Sequence, residues 1–198
     1  MKNTVYAHLI LAQSKISGNS MKKSRLLTFD PGSKNMGWAV LDYTDKKKYT
    51  VVRCGMLRKP IYELRGNIKE EVLPFATDFK KLLVASKATT MVCERYMAQM
   101  RGKTGENVNI MLGAMSMVSG VIPMFIFPAV QWKAAIKREW GLTKVDDYYK
   151  DVNIKQDHAI DAVLMGVYYL NKFLEYPIKN RKTLAKEIEQ KFIGEYPK

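Results

Sequence analysis

The stretch RLLTFDPGSKNMGWAV, residues 25–40, decides the fold class of this chain. It begins as a buried strand, and Asp30 then follows the apolar run with a Pro-Gly turn directly behind it. A second apolar run at 36–42 lies beyond the turn-forming residues, so the two runs predict a β-hairpin. A carboxylate at the end of a buried strand is costly unless it has a partner or a function.

The bulk composition predicts one packed globular domain. The chain has 198 residues, of which 47% are hydrophobic, and no apolar run is long enough to span a membrane. Residues 1–20 are interpreted as an N-terminal extension. The two cysteines, Cys54 and Cys93, match neither a zinc finger nor a disulfide scaffold, which predicts buried, reduced thiols in a cytoplasmic protein.

The charge balance points to a polyanionic partner. Lysine and arginine number 33 against 19 aspartate and glutamate residues, which gives a formal net charge of +14. A surplus of this size favours nucleic acid as the partner. A generally basic, solvated surface is the alternative.

The order of the predicted elements indicates a mixed α/β sheet. Three antiparallel strands come first, and helices then alternate with strands. Pro74 is expected to kink or divide the first helix. The strands are expected at 25–30, 36–42, 48–56, 89–96 and about 121–128, and the last two of them are expected to be buried. The helices are expected at about 61–86, 107–119, 129–140, 157–173 and 180–193. We expect the main domain to span 21–175, followed by a basic, solvent-facing helical tail at 176–198.

Acidic residues stand at three positions where apolar residues are expected. Asp30 ends the first strand, and Glu94 follows the apolar run of the fourth strand. The segment QDHAIDA opens the helix at 157–173 and contains Asp157, His158 and Asp161 within about one turn. At helical spacing, Asp161 shares a face with both of the others.

Each position also has a structural explanation. Asp30 before Pro-Gly is a suitable Asx-type turn residue, and Glu94 has Arg95 and Lys103 as possible salt-bridge partners. Asp157 is a typical N-cap or first-turn acid of a helix.

The coincidence of these acids in a strongly basic chain favours a divalent-metal site. Carboxylates a few ångströms apart repel one another and raise each other's pKa unless a cation neutralises them. Mg²⁺ prefers a few carboxylates and retained waters. Two such ions about 3.5–4 Å apart support the hydrolysis of a phosphodiester.

Three motifs, in this order and spacing, resemble the RuvC-type Holliday junction resolvases of the RNase H-like superfamily. They are FDPGSKNMGWAV at 29–40, MVCERYMAQ at 91–99 and DHAIDA at 157–162. The resemblance covers about 22–173 and implies an α/β fold with a mixed five-stranded sheet flanked by helices. The loop after Glu94 and the terminal segments depart from the cellular enzymes and look more like a phage or viral version.

The resemblance also implies a set of catalytic residues. The expected metal ligands are Asp30, Glu94, His158 and Asp161, with Asp157 as an alternative or outer ligand. They would hold two Mg²⁺ ions, for which Mn²⁺ would substitute. The stretch FPAVQWKAAIKREWGLTKV is similar to one that carries two basic residues eleven apart. Lys133 and Lys144 fit that spacing, and Lys144 would lie near the scissile phosphate.

The implied substrate is a four-way DNA junction, cut by paired nicks on opposing strands in recombination and repair. Such cutting implies a homodimer, and helix 107–119 is the expected dimer face. The alternative role for this helix is ordinary core packing by its methionines. Tyr96 and Met97 are candidates to wedge or stack at the crossover. The other expected DNA contacts are Ser33, Lys34, Arg101, Lys103, Lys137 and Arg138.

Two rival functions stay open at this point. A RuvC-like nuclease of broader selectivity would cut forks, flaps or RNA, and a non-catalytic module would bind junctions without cutting them. An actin-like or sugar-kinase ATPase is excluded, because that fold needs a second, duplicated domain and the chain is too short.

Overall fold

A computed structural model describes residues 23–32, 35–57, 67–95 and 103–196. The strands are β1 (Lys23–Pro31), β2 (Met36–Thr44), β3 (Lys48–Leu57), β4 (Thr90–Arg95), β5 (Met124–Pro128) and β6 (Phe192–Tyr196). The helices are α1 (Ile68–Ser86), α2 (Lys103–Ser119), α3 (Ala129–Trp140), α4 (Asp157–Leu174) and α5 (Arg181–Lys191), and a 3-10 helix spans Val145–Asp151.

Within the described residues, six strands form one mixed sheet in the order β5-β4-β1-β2-β3-β6. The β1, β2 and β3 strands are antiparallel neighbours, whereas the pairs β1–β4, β4–β5 and β3–β6 are parallel. The mixed α/β architecture predicted from the sequence is therefore confirmed, with one strand more than the five expected. The strand that carries Asp30 lies inside the sheet, between β4 and β2.

The sixth strand and the helix before it correct the prediction for the C-terminal segment. The helix forms, but its solvent-facing character was wrong: Leu184, Ala185 and Ile188 are buried in the main core. These residues recur at the i, i+1, i+4 spacing of an apolar helix face. The chain then turns into β6, which pairs with β3.

Alternation along β1 divides the core into two layers. Leu26 and Thr28 face α4, and the Thr28 hydroxyl donates a hydrogen bond to the Ala162 carbonyl at 2.6 Å. Leu27 and Phe29 face the opposite layer with α1 and α2. Asp30 continues the alternation of Leu26 and Thr28, so its side chain belongs to the α4 face of the sheet.

Three further details bear on the sequence expectations. Pro74 lies inside α1 on an exposed position without dividing the helix, because the carbonyl it leaves unpaired lies near the helix start within reach of water. β5 is a partly exposed edge strand rather than a buried one.

In α2, Val108, Met111 and Met115 pack into the core, which agrees with the core-packing alternative for these side chains. No helix in the described part of the chain is long and apolar enough to cross a membrane.

Candidate active site

The register between β1 and β4 brings two of the acids together. Phe29 is paired with Cys93, so the residues that follow in these parallel strands are Asp30 and Glu94. Both side chains lie on the face that α4 covers, because they continue the alternation of the buried residues before them. Asp30 is 6% exposed and Glu94 is half-buried.

The first turn of α4 supplies the other two residues. It lies directly against β2, where Gly37 is the partner of Asp30. A Cβ atom on Gly37 would meet the backbone of His158, so only glycine lets the helix approach this closely. His158 Nδ1 then lies 2.5 Å from Asp30 Oδ2, and Asp161 faces the sheet one turn further on, 6% exposed.

Protein donors reach the carboxylates on both sides of the site. The Tyr149 hydroxyl donates to Asp161 Oδ1 at 2.6 Å, and Lys133 Nζ lies 3.1 Å from Asp161 Oδ2. The indole Nε1–H of Trp132 donates to Glu94 Oε2 at 2.9 Å. The acids are thus held from three directions, by the 3-10 helix, by α3 and by the first turn of α4.

Burial and mutual repulsion perturb the ionisation of the cluster. Burial, and next the charge of Asp30, raises the pKa of Glu94 to about 7 and that of Asp161 to about 6. The hydrogen bond with Asp30 raises the pKa of His158 above its ordinary value. Such perturbed groups gathered at one edge of a sheet are typical of functional sites.

The chemistry of the donor set fits a hard divalent cation. Three carboxylates and one imidazole offer the oxygen and nitrogen ligands that Mg²⁺ and Mn²⁺ accept. Among the described residues, however, no three His, Cys, Asp or Glu side chains converge closely enough to hold one ion. The carboxylates instead turn oxygens to protein donors: Asp30 to His158, Glu94 to Trp132, and Asp161 to Tyr149 and Lys133.

A cleft of about 750 Å³ opens beside the acid cluster. It runs from Asp157 and His158 along the ends of β2 and β3 to β6. The sixth strand forms part of its wall, so the C-terminal segment extends the surface next to the site. The lining residues are Asn35, Met56, Leu57, Lys155, Gln156, Asp157, His158, Phe192, Gly194 and Glu195.

Some of the residues predicted to surround the acid cluster are described by the structure, and the others lie outside the described residues. Lys137 and Arg138 are exposed in the last turn of α3. Lys144 is exposed just before the 3-10 helix, and its backbone N–H donates to Asp147 Oδ2 at 3.1 Å. Asp157 is the exposed first residue of α4. Outside the described residues lie Ser33, Lys34, Tyr96, Met97 and Arg101, and the side chain of Lys103.

Sequence reasoning missed Trp132 and Tyr149, which contact the acids directly. Trp132 precedes the predicted Lys133 and is fully buried, a position where an indole N–H needs an acceptor. Tyr149 follows Tyr148 in the short 3-10 helix, and nothing in that polar segment tells which of the two hydroxyls reaches the site. The salt-bridge explanation of Glu94 finds no support in the described residues, where its hydrogen-bond partner is Trp132.

Comparison with known sequences identifies no relative: no protein-family model matches the chain, and neither does any curated protein.

Solved structures of similar fold include Holliday junction resolvases. RuvC of T. thermophilus in complex with a Holliday junction substrate is 14% identical with a TM-score of 0.54, over 75% of this chain and 96% of that chain. A second Thermus thermophilus RuvC structure is 13% identical, with a TM-score of 0.50, over 75% of this chain and 96% of that chain. The yeast mitochondrial Holliday junction resolvase Ydc2 is 12% identical, with a TM-score of 0.53, over 83% of this chain and 84% of that chain. At this identity the likeness shows the fold alone, which this chain shares with these resolvases.

Proposed function

We propose that the protein is a divalent-metal-dependent endonuclease that resolves four-way DNA junctions by paired nicks on opposing strands. One observation carries the proposal: residues from three distant segments, Asp30, Glu94, His158 and Asp161, meet at one edge of the sheet in a chain of net charge +14. Support also comes from the fold, which is shared with a resolvase solved on a Holliday junction substrate.

The four residues at the sheet edge would hold Mg²⁺, or Mn²⁺ in its place, as two ions per site. When bound, such ions supply an activated water and stabilise the charge that develops on the phosphate. The protein's own side chains do the positioning. Tyr149 holds Asp161, and Trp132 holds Glu94, so that the carboxylates keep their orientation toward the substrate side.

Basic residues at the rim of the site would hold the DNA backbone. Lys137 and Arg138 are exposed on the same helix that carries Lys133, and Lys144 follows that helix. In this proposal their positive charges would meet the phosphates of a junction arm. We assign them phosphate contacts that fix the register without reading sequence.

Paired nicks require two sites, and we propose a homodimer. The candidate face combines α2 with the loop after it, because Met117 is 84% exposed and Val121 is fully exposed, and neither is explained by core packing. A two-fold axis through this face would present two identical sites to opposing strands. The free, buried thiols of Cys54 and Cys93 suit a reducing cytoplasm, that of a bacterial host for a phage-encoded chain.

A nicking assay tests the proposal. A synthetic four-way junction is incubated with the protein beside linear duplex, a flap and structured RNA, in Mg²⁺, Mn²⁺ or EDTA. Symmetric, metal-dependent nicks near the crossover are expected. Preferred cutting of flaps or RNA would replace the junction with a broader substrate, and binding without cutting in any metal would reject the nuclease.

A further inference from the structure

Lys133 brings a positive charge into contact with the acid cluster. Its Nζ lies 3.1 Å from Asp161 Oδ2, and its side chain is 36% exposed. The charges of Glu94 and Asp30 also act on it, and together with Asp161 they raise its pKa although burial lowers it. The ammonium group of Lys133 therefore compensates negative charge in the acid cluster through its direct contact with Asp161.

The helix that carries Lys133 fixes it in this place. Trp132, the residue before it, is fully buried and donates to Glu94 at 2.9 Å. The ammonium of Lys133 lies over the same indole ring, 5.0 Å from its centroid, in a cation–π contact. Two adjacent residues of α3 thus reach two different acids, and the indole supports both interactions.

We infer that Lys133 is the internal counterion of the acid cluster in the metal-free protein, and that a divalent cation binds there in competition with its ammonium group. The inference rests on the proposed function only in taking the acids as the metal ligands. Its physical basis is that one carboxylate oxygen, Asp161 Oδ2, would have to serve both cations. The flexible four-carbon stem of a lysine lets its ammonium group move away from Asp161 when another cation replaces it there.

The competition links metal loading to substrate binding. While Lys133 contacts Asp161, its charge is neutralised within the protein and is not available to a phosphate. Once it leaves Asp161, the ammonium reaches the open side of the site, and the protein gains one free positive charge next to the acids. Metal-loaded protein is then expected to bind DNA phosphates more strongly than the metal-free form.

Calorimetric titration with Mn²⁺ at pH 8 tests the inference without any cleavage. Lys133→Met removes the charge while keeping the length of the side chain, and we expect the dissociation constant for Mn²⁺ to fall about tenfold or more, because no cation has to be displaced. Lys186→Met, an exposed lysine on α5, removes the same charge elsewhere and should leave the constant unchanged. Equal or weaker binding by the Lys133 variant would overturn the inference.

A measurement on the wild-type protein covers the case in which Lys133→Met fails to fold. An amine-reactive reagent is applied with and without Mg²⁺, and the modified peptides are quantified by mass spectrometry. Labelling of Lys133 should rise several-fold with Mg²⁺, and exposed Lys137, one turn along α3, is the internal reference. An unchanged Lys133 signal would overturn the inference.

These readouts separate the inference from the proposed function. If Mg²⁺ exposes Lys133 to labelling but no branched substrate is cut, the nuclease is rejected and the counterion role stands. If junctions are cut, but the metal affinity is unchanged in Lys133→Met and Mg²⁺ does not change the labelling of Lys133, the counterion role is rejected and the nuclease stands.

Discussion

Gly37 lies directly against the backbone of His158, so closely that a Cβ atom on Gly37 would stand 1.9 Å from the His158 carbonyl oxygen. The contact joins β2 to the first turn of α4 and sets the distance between Asp30 and the helix residues of the site. The glycine is needed here for space, since the atoms in its way are backbone atoms that cannot rotate aside.

Replacing Gly37 should therefore disturb the geometry of the acid cluster, although Gly37 is not one of its residues. In Gly37→Ala we expect the first turn of α4 to move away from the sheet, with a loss of nicking of about a hundredfold and a lower melting temperature. Gly113→Ala is the control: it lies in α2 with no atom within 4 Å of the added Cβ, and it should gain about 0.5–1 kcal/mol in stability. Thermal unfolding and nicking rates compare the two, and wild-type activity in Gly37→Ala would contradict this account.

Asp30→Asn should abolish cleavage and leave both the fold and the binding of junction DNA intact. The amide keeps the shape of the side chain but loses the charge needed to hold a cation. Circular dichroism, gel-shift binding and the nicking assay measure the three properties side by side. A variant that fails to fold would make Asp30 a structural residue and remove the main support for the nuclease.

Two adjacent tyrosines allow a matched test of the 3-10 helix. Tyr149→Phe removes the hydrogen bond to Asp161, and we expect metal affinity or nicking to fall about 10- to 100-fold. Tyr148→Phe removes a buried hydroxyl that has no hydrogen-bond partner among the described residues, so it should be neutral or slightly stabilising. Equal losses in both variants would show a general packing effect instead.

The ionisation of Glu94 predicts how stability varies with pH in EDTA. Its pKa in the folded protein is about 7, above the ordinary value of 4.5, chiefly through burial. The folded state therefore holds the proton more tightly than the unfolded state, and stability is lost as the pH rises from about 4.5 to 7.

Glu94→Gln cannot ionise and keeps an oxygen for the Trp132 indole. Its melting temperature relative to the wild type should thus be higher at pH 8 than at pH 5. Melting curves of both proteins at the two pH values measure the difference. A difference that does not change with pH would show that Glu94 ionises normally.

Self-association should depend on the exposed residues after α2. Val121→Glu places a charge on the candidate dimer face and should convert a dimer to a monomer in sedimentation velocity. Ile68→Glu changes an exposed apolar residue at the start of α1 and should leave the dimer intact. A dimer that survives Val121→Glu would place the interface on another surface.

Local patterns in the sequence were sufficient for the β-meander and for the acids. The apolar runs predicted that Asp30 and Glu94 end two strands, and helical spacing predicted that Asp161 shares a face of α4 with His158. These features depend on residues close together in the chain, where the periodicity of strands and helices is reliable.

Features that depend on distant partners could not be predicted. β6 is five residues long and contains Gly194, and its strand character comes from pairing with β3. The contacts of Trp132 and Tyr149 depend on how α3 and the 3-10 helix dock beside α4. Of the two predicted lysines, Lys133 contacts Asp161 in the acid cluster, whereas the described contact of Lys144 is with Asp147 outside it. Their spacing alone leaves this choice open.

The pairing of β3 with β6 has a consequence for synthesis on the ribosome. The β1–β3 meander leaves the ribosome before α5 and β6, which cover Cys54 and its neighbours on β3. Parallel pairing between such distant segments forms slowly, so the nascent chain carries an open strand edge until β6 has been made. A chain that stalls before residue 180 keeps this edge unpaired, and we expect it to aggregate or to occupy a chaperone.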